Sequence, residues 1–202
     1  MSYHRILSDI LGNPILAASA YFQQLIREKG FLHNDLLSDS FLIKFLIKVI
    51  RHQGLSLREI ETLVLHIEVV QVLSNSHRFI PDRYIGYSLL RLFGVMLVCF
   101  KPDILREIRK GVVDADLLGN FLGVTKLPYL EEGGSDIPEV CEFIMASLTT
   151  DFNENKDNYT ISDDQQKKWN SYMRNVSFME EMPYRGRAIA QIIETANIMA
   201  FE

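Results

Sequence analysis

The sequence predicts an all-α protein, a multi-helix orthogonal bundle. Apolar residues recur at helical spacing in segment after segment, and helix caps, prolines and glycines separate those segments. No segment alternates polar and apolar residues between turn signals, as a half-buried strand would. The 202 residues are 48% hydrophobic and 23% charged, the balance of an ordinary soluble globular chain. That length supports a substantial core in one large domain or two small ones.

Taken in order, residues 1–12 predict a short helix with Ile6, Leu7, Ile10 and Leu11 on one side, ended at Gly12. Asn13-Pro14 starts the next helix, a capping residue followed by a proline in the first turn, and that helix runs to Gly30. Phe31 to Leu37 connects it to a helix capped by Ser38 or Asp39, with Phe41, Leu42, Phe45, Leu46, Val49 and Ile50 inward and Lys44, Lys48 and Arg51 outward. Gly54 closes that helix, since glycine adopts the left-handed conformation freely.

The stretch Gly54 to Leu73 is the most informative. Ser56 and Glu59 form a capping box and open a helix whose broad face is Leu57, Ile60, Leu63, Val64, Ile67 and Val70. Leu65, Val69, Val72 and Leu73 make the other side apolar as well, which predicts a helix inside the bundle rather than on its surface.

Ser74-Asn75-Ser76 ends that helix and Ile80-Pro81-Asp82 reopens the chain as a core helix to Phe100. Gly86 and Gly94 within it each cost about 1 kcal/mol against alanine and predict close helix approach. Lys101-Pro102-Asp103 is a break and restart, and Gly111 stops the two turns that follow. Val112 to Leu122 predicts a short helix capped by Asp114 and ended by Gly123.

Residues 124–135 are the first boundary, because Pro128 and Gly133-Gly134 forbid continuous helix. This divides the chain into a helical bundle over 1–123 and a C-terminal helical extension or second lobe over 124–202. Asp136 to Thr150 predicts helix, the polar 151–160 a mobile loop, and Ser162 with Gln165 a second capping box. After Pro183 the last helix runs from Tyr184 to Phe201 and buries Ile189, Ile192, Ile193, Ala196 and Met199.

The formal net charge is −5, against a nucleic-acid surface, which needs a basic stripe. The two cysteines, Cys99 and Cys141, read as buried free thiols and predict a reducing, cytoplasmic setting. Residues 1–11 lack the basic start and apolar run of a secretory leader. The apolar stretch Tyr84 to Phe100 contains Arg91 and falls short of the about 20 residues that span a bilayer.

Catalytic patterns are absent. There is no G-x-x-x-x-G-K-[ST], no G-x-G-x-x-G and no G-x-S-x-G elbow. The five histidines, His4, His33, His52, His66 and His77, pair with no other ligand at metal-binding spacing. Glu61 and Glu68 share a helix face, either as a carboxylate pair needing a cleft or as solvated positions on a polar strip. Arg58 stands out, since a cation in the first helical turn opposes the helix dipole and calls for an anionic partner. A carboxylate of its own fold gives a plain ion pair; an exposed guanidinium beside a cleft gives a phosphate contact.

LSLREIETLVLHIEVVQVL at 55–73 resembles the segment downstream of the nucleotide site in the KAP family of P-loop NTPases. A helix opening Ser-Leu-Arg-Glu-Ile-Glu belongs there to the helical lid. FKPDILREIRKGVVDADLLGNFLG at 100–123 is similar to the helices that follow in the family. The likeness spans about residues 40–123 and implies that Arg58 matches the lid arginine, which can approach the γ-phosphate of bound ATP. The family's P-loop and acidic magnesium-binding strand have no counterpart in these residues.

The expectation is therefore a non-catalytic interaction domain acting through a protein partner, with no cofactor alone and ATP only if the partner contributes it. The alternative is a small acidic adaptor or secretion-chaperone-like protein that holds a partner segment in an inter-helix groove. An enzyme would need a site assembled from distant residues with perturbed titratable groups.

Overall fold

A computed structural model describes residues 14–29, 40–73, 84–131 and 137–199. Within them lie nine α-helices and no strand. These are α1 (Pro14–Glu28), α2 (Ser40–Gln53), α3 (Leu57–Leu73), α4 (Gly86–Phe100), α5 (Pro102–Arg109), α6 (Ala115–Leu122), α7 (Val140–Ser147), α8 (Asp163–Asn175) and α9 (Arg187–Met199). The helix expected at 1–12, the connection and caps at 31–39, and the restart at 80–82 lie outside the described residues.

The innermost helix is α4, not α3. Ser88 to Leu90 and Leu92 to Leu97 of α4 are all buried, while α3, α5, α7, α9 and α2 pack around it. Arg91 lies partly buried on this helix and its Nε donates to the Tyr87 carbonyl at 3.3 Å. The α3 expectation needs correction. Ile60, Leu63, Val64, Ile67 and Val70 face the core, whereas Leu65 and Val72 are 56% and 64% exposed, and Leu57 and Leu73 are exposed too. Apolar residues around the whole girth do not secure burial: among the described residues, the packing of α1, α4 and α9 on α3 leaves Leu65 and Val72 exposed.

The two α4 glycines do different things. A Cβ on Gly94 would sit 2.9 Å from the Ile192 carbonyl oxygen, so α4 and α9 touch backbone to backbone there. A Cβ on Gly86 would meet the Met179 side chain at 2.6 Å, so that approach is to a loop rather than a helix.

Local signals set most helix ends. The Gly54 N–H donates to the Arg51 carbonyl at 3.3 Å and the Leu55 N–H to the Ile50 carbonyl at 3.2 Å, with Gly54 at φ +61°. This is a Schellman ending for α2, with Leu55 buried against it. Asp114 caps α6 by accepting from the Leu117 N–H at 3.0 Å, and Gly123 ends it at φ +72°. Helix α7 is shorter than expected, with Glu139 at its N-cap and Glu142 completing a capping box, while Asp136 lies outside the described residues. Helix α9 starts at Arg187, after Gly186 turns the chain at φ +86°.

The 151–160 segment also departs from expectation. Its polar composition conceals three buried anchors, Asp151, Phe152 and Tyr159. Asn153 Oδ1 accepts from the Val113 N–H at 2.8 Å, the Glu154 carbonyl from the Ala115 N–H at 3.0 Å, and the Tyr159 hydroxyl donates to the Val124 carbonyl at 2.8 Å. The segment thus holds both ends of α6. Gln165 differs as well. Instead of reaching back to the Ser162 N–H, its amide is buried and brackets Leu130, accepting from its N–H at 2.7 Å and donating to its carbonyl at 3.0 Å.

The hydrophobic cluster runs from Ala18 to Ala196 and includes residues on both sides of position 124, with α7 against α2, α4 and α6 and α9 against α3 and α4. None of the described helices is long and apolar enough to cross a membrane.

Candidate functional site

The corner between α2 and α3 carries the site. The Schellman ending delivers the chain to Ser56, whose Oγ accepts from the Glu59 N–H at 3.4 Å. Glu59 Oε2 accepts in return from the Ser56 N–H at 2.8 Å and hydroxyl at 2.7 Å. The Ser56 hydroxyl, then its backbone N–H, hold the Glu59 carboxyl below its ordinary value. Arg58, the second residue of α3, projects from this braced turn, and its carbonyl accepts from Thr62 Oγ1 at 3.0 Å.

Arg58 is exposed and has no ion-pair partner among the described residues. It lines a cleft of about 430 Å³ between the start of α3 and the junction of α4 with α5. Gln53, Leu55, Ser56, Glu59 and Thr62 form one wall, and Cys99, Phe100 and Lys101 the other. Lys101 sits at φ −140° and ψ 55°, outside both helices, and its side chain makes no cap bond to α5. Gln53, in the same wall, is anchored by its Nε2, which donates to the Phe121 carbonyl at 2.8 Å.

Cys99 is only half-buried here, where the sequence predicted full burial. Burial nonetheless pushes its thiol up to about 12, as it does for Cys141, so neither is a thiolate nucleophile near neutral pH. Both cysteines are free.

The remaining candidates have structural partners. Glu61 accepts from the Tyr21 hydroxyl, and Glu68 pairs with Lys29 at 2.8 Å. They tie α1 to α3 around a groove of about 290 Å³ lined by Leu25, Val64 and Leu65. His52 Nε2 lies 2.8 Å from the Asn120 carbonyl and His66 Nδ1 2.7 Å from the Thr62 carbonyl. His4, His33 and His77 lie outside the described residues. No His, Cys, Asp and Glu cluster of metal-binding size occurs among the described residues.

Of the two cations that line the cleft, sequence reasoning singled out Arg58 and passed over Lys101, which read only as a helix break. Its one local signal is a lysine set immediately before a proline-initiated helix, in a position no cap requires. Both side chains are cationic and line the same cleft. No glycine lies among the described residues of the cleft wall, so they offer charged contacts to an anion there, not a loop that cradles one.

No family model, no curated protein and no solved structure matches this chain.

Proposed function

We propose that this chain is a non-catalytic α-helical interaction domain, similar to the lid of KAP-type NTPases, and that it acts through a protein partner. Arg58 would contact a phosphate of a nucleotide that the partner holds. The observation that carries the reading is a guanidinium on a rigid helix start, exposed beside a cleft and without a carboxylate partner among the described residues. An arginine there opposes the α3 dipole, and an anion from outside would offset that cost. The formal charge of −5 favours a protein over a nucleic acid as that partner, and the free thiols favour a reducing, cytoplasmic setting. The test is to mix the chain with candidate P-loop NTPases and ATP. Arg58→Ala is expected to lower partner ATPase rate or nucleotide-dependent binding at least tenfold, with Arg58→Lys intermediate. An unchanged rate and unchanged binding in Arg58→Ala would refute the lid role.

The adaptor reading draws on a different observation, the exposed apolar side of α3. Leu65 and Val72 lie seven residues apart on one stripe, with Leu73 beside them. An apolar stripe of that kind suits a partner helix laid alongside it. Leu65→Glu with Val72→Glu would abolish partner capture under this reading and leave it intact under the lid reading.

A further inference from the structure

We propose that the face formed by α2, α1 and α3 binds a second copy of this chain about a two-fold axis running along α1, with α2 of each copy seated on α3 of the other. Charge and spacing name this occupant.

The groove between α1 and α3 has an apolar floor, Leu25, Val64 and Leu65, and a rim of Glu61, Glu68 and Lys29, a net charge of −1. Lys29 is engaged by Glu68, whereas Glu61 accepts from the neutral Tyr21 hydroxyl and has no ion-pair partner among the described residues. The outward side of α2 is its opposite. A hollow of about 520 Å³ is lined there by Lys44, Lys48, Arg51 and His52 around Ile47, with no carboxylate among the described residues of its lining. Glu139 engages Lys48, and Lys44 and Arg51 have no ion-pair partner among the described residues.

The two surfaces share one spacing, read in opposite directions. Lys44 lies three residues before Ile47 and Arg51 four after it; Glu61 lies four before Leu65 and Glu68 three after it. Laid antiparallel, Arg51 falls on Glu61, Ile47 on Leu65 and Lys44 on Glu68. Helix α1 sets the level. Arg51 Nε donates to Ser19 Oγ at 3.2 Å, and the Tyr21 hydroxyl donates to Glu61. Ser19 and Tyr21 are about 200° apart around α1 and about 3 Å apart along it, so the two stripes flank α1 with Arg51 and Glu61 at nearly one level. The corner at 54–56 joins α2 to α3 by a connection as short as that of an antiparallel helix pair. Rotation by a half-turn about a line parallel to α1 keeps the level and exchanges the flanks. Arg51 of one copy therefore arrives at Glu61 of the other, and the same contact forms twice. Ala20, midway around α1 between Ser19 and Tyr21, is exposed, and so small a side chain lets the two α1 helices approach at the axis. Copies of a chain with a formal net charge of −5 repel one another, and stripes of opposite sign fix the one orientation that offsets this.

This proposal goes beyond the lid and adaptor readings and assigns Leu65 to a second copy. Sedimentation equilibrium of the whole chain at low salt, from about 1 to about 100 µM, should reach twice the chain mass, and about 0.5 M salt should weaken association about tenfold. Lys44→Glu with Arg51→Glu, and separately Glu61→Lys with Glu68→Lys, should each leave monomers, because like charges then meet at both seams. Mixed in equal amounts, the two variants should recover a dimer, since both seams of the heterodimer join opposite charges. Far-ultraviolet circular dichroism checks that each variant folds, and Lys167→Glu with Arg174→Glu, on α8, should leave the dimer intact. A wild-type monomer throughout, folded variants that stay monomeric when mixed, equal loss in the α8 variant, or assemblies larger than two copies would overturn the proposal. A monomeric chain whose partner capture is lost in Leu65→Glu with Val72→Glu leaves the adaptor reading standing without this one, and a wild-type dimer that captures no partner leaves this one standing alone.

Discussion

Ser56 and Arg58 lie two positions apart and should respond to mutation in opposite ways. Ser56 closes the capping box, so Ser56→Ala is expected to lower stability by about 1 kcal/mol in urea denaturation. Arg58 is exposed and unpaired among the described residues, so Arg58→Ala should stay within about 0.5 kcal/mol of the wild type. A large loss in Arg58→Ala would mean that the guanidinium supports the fold rather than a ligand. Asp151 offers a pH test. Burial raises its carboxyl above the ordinary value, against the Gly186 and Ile189 N–H groups and Arg185, which lower it. A group raised in the folded state favours folding below its unfolded pKa, and that contribution is lost as pH rises through the folded value. Asp151→Asn keeps an acceptor and removes the charge, so its stability relative to the wild type should rise between pH 4 and pH 7. Urea midpoints at those two pH values check the sign, and a relative fall would contradict it.

At the scale of the element, the clearest expectation concerns Gly94. Alanine there gains about 1 kcal/mol of helix propensity, but its methyl would press on the Ile192 carbonyl 2.9 Å away. Backbone cannot swing aside as a flexible side chain can, so Gly94→Ala should destabilise by about 1–3 kcal/mol in thermal or urea unfolding. A stabilised variant would show that α4 and α9 are less closely packed. Helix ends were legible in the sequence because their causes are local. Gly54, Ser56 with Glu59, Asp114 with Gly123, and Ser162 each act within a turn of where they sit. What escaped depends on groups far along the chain. The outward side of α3 could not be told from its inward side, because both are apolar and only the placement of α1, α4 and α9 chooses between them. Gln165 looked like a capping residue and instead holds Leu130, and 151–160 looked like a loose loop because its three anchors are sparse among polar neighbours. Arg58 was visible as a cation at the wrong end of a dipole. Lys101 was not, since nothing local says which cleft a lysine after α4 will face.

The all-helical architecture was the easiest thing to infer for the whole molecule, since helical periodicity recurs along most of its length. How the parts cohere is measurable. The single Trp169 is buried on α8 against Phe143, with ring centroids 5.8 Å apart, so its fluorescence reports on the C-terminal part. Circular dichroism reports on all the helices. Because one hydrophobic cluster includes residues on both sides of position 124, the two signals should give one coincident urea transition. Separate midpoints would mean that residues 124–202 unfold as a lobe of their own.

The corner at residues 54–56 has a mechanical consequence. It is fastened on the α2 side by two backbone bonds and on the α3 side by the reciprocal Ser56 and Glu59 contacts, with no slack residue between them. Force applied at Arg58 cannot be absorbed by a pliant linker. It reaches α2 directly at Gly54, and α2 in turn touches the start of α7 where Lys48 meets Glu139.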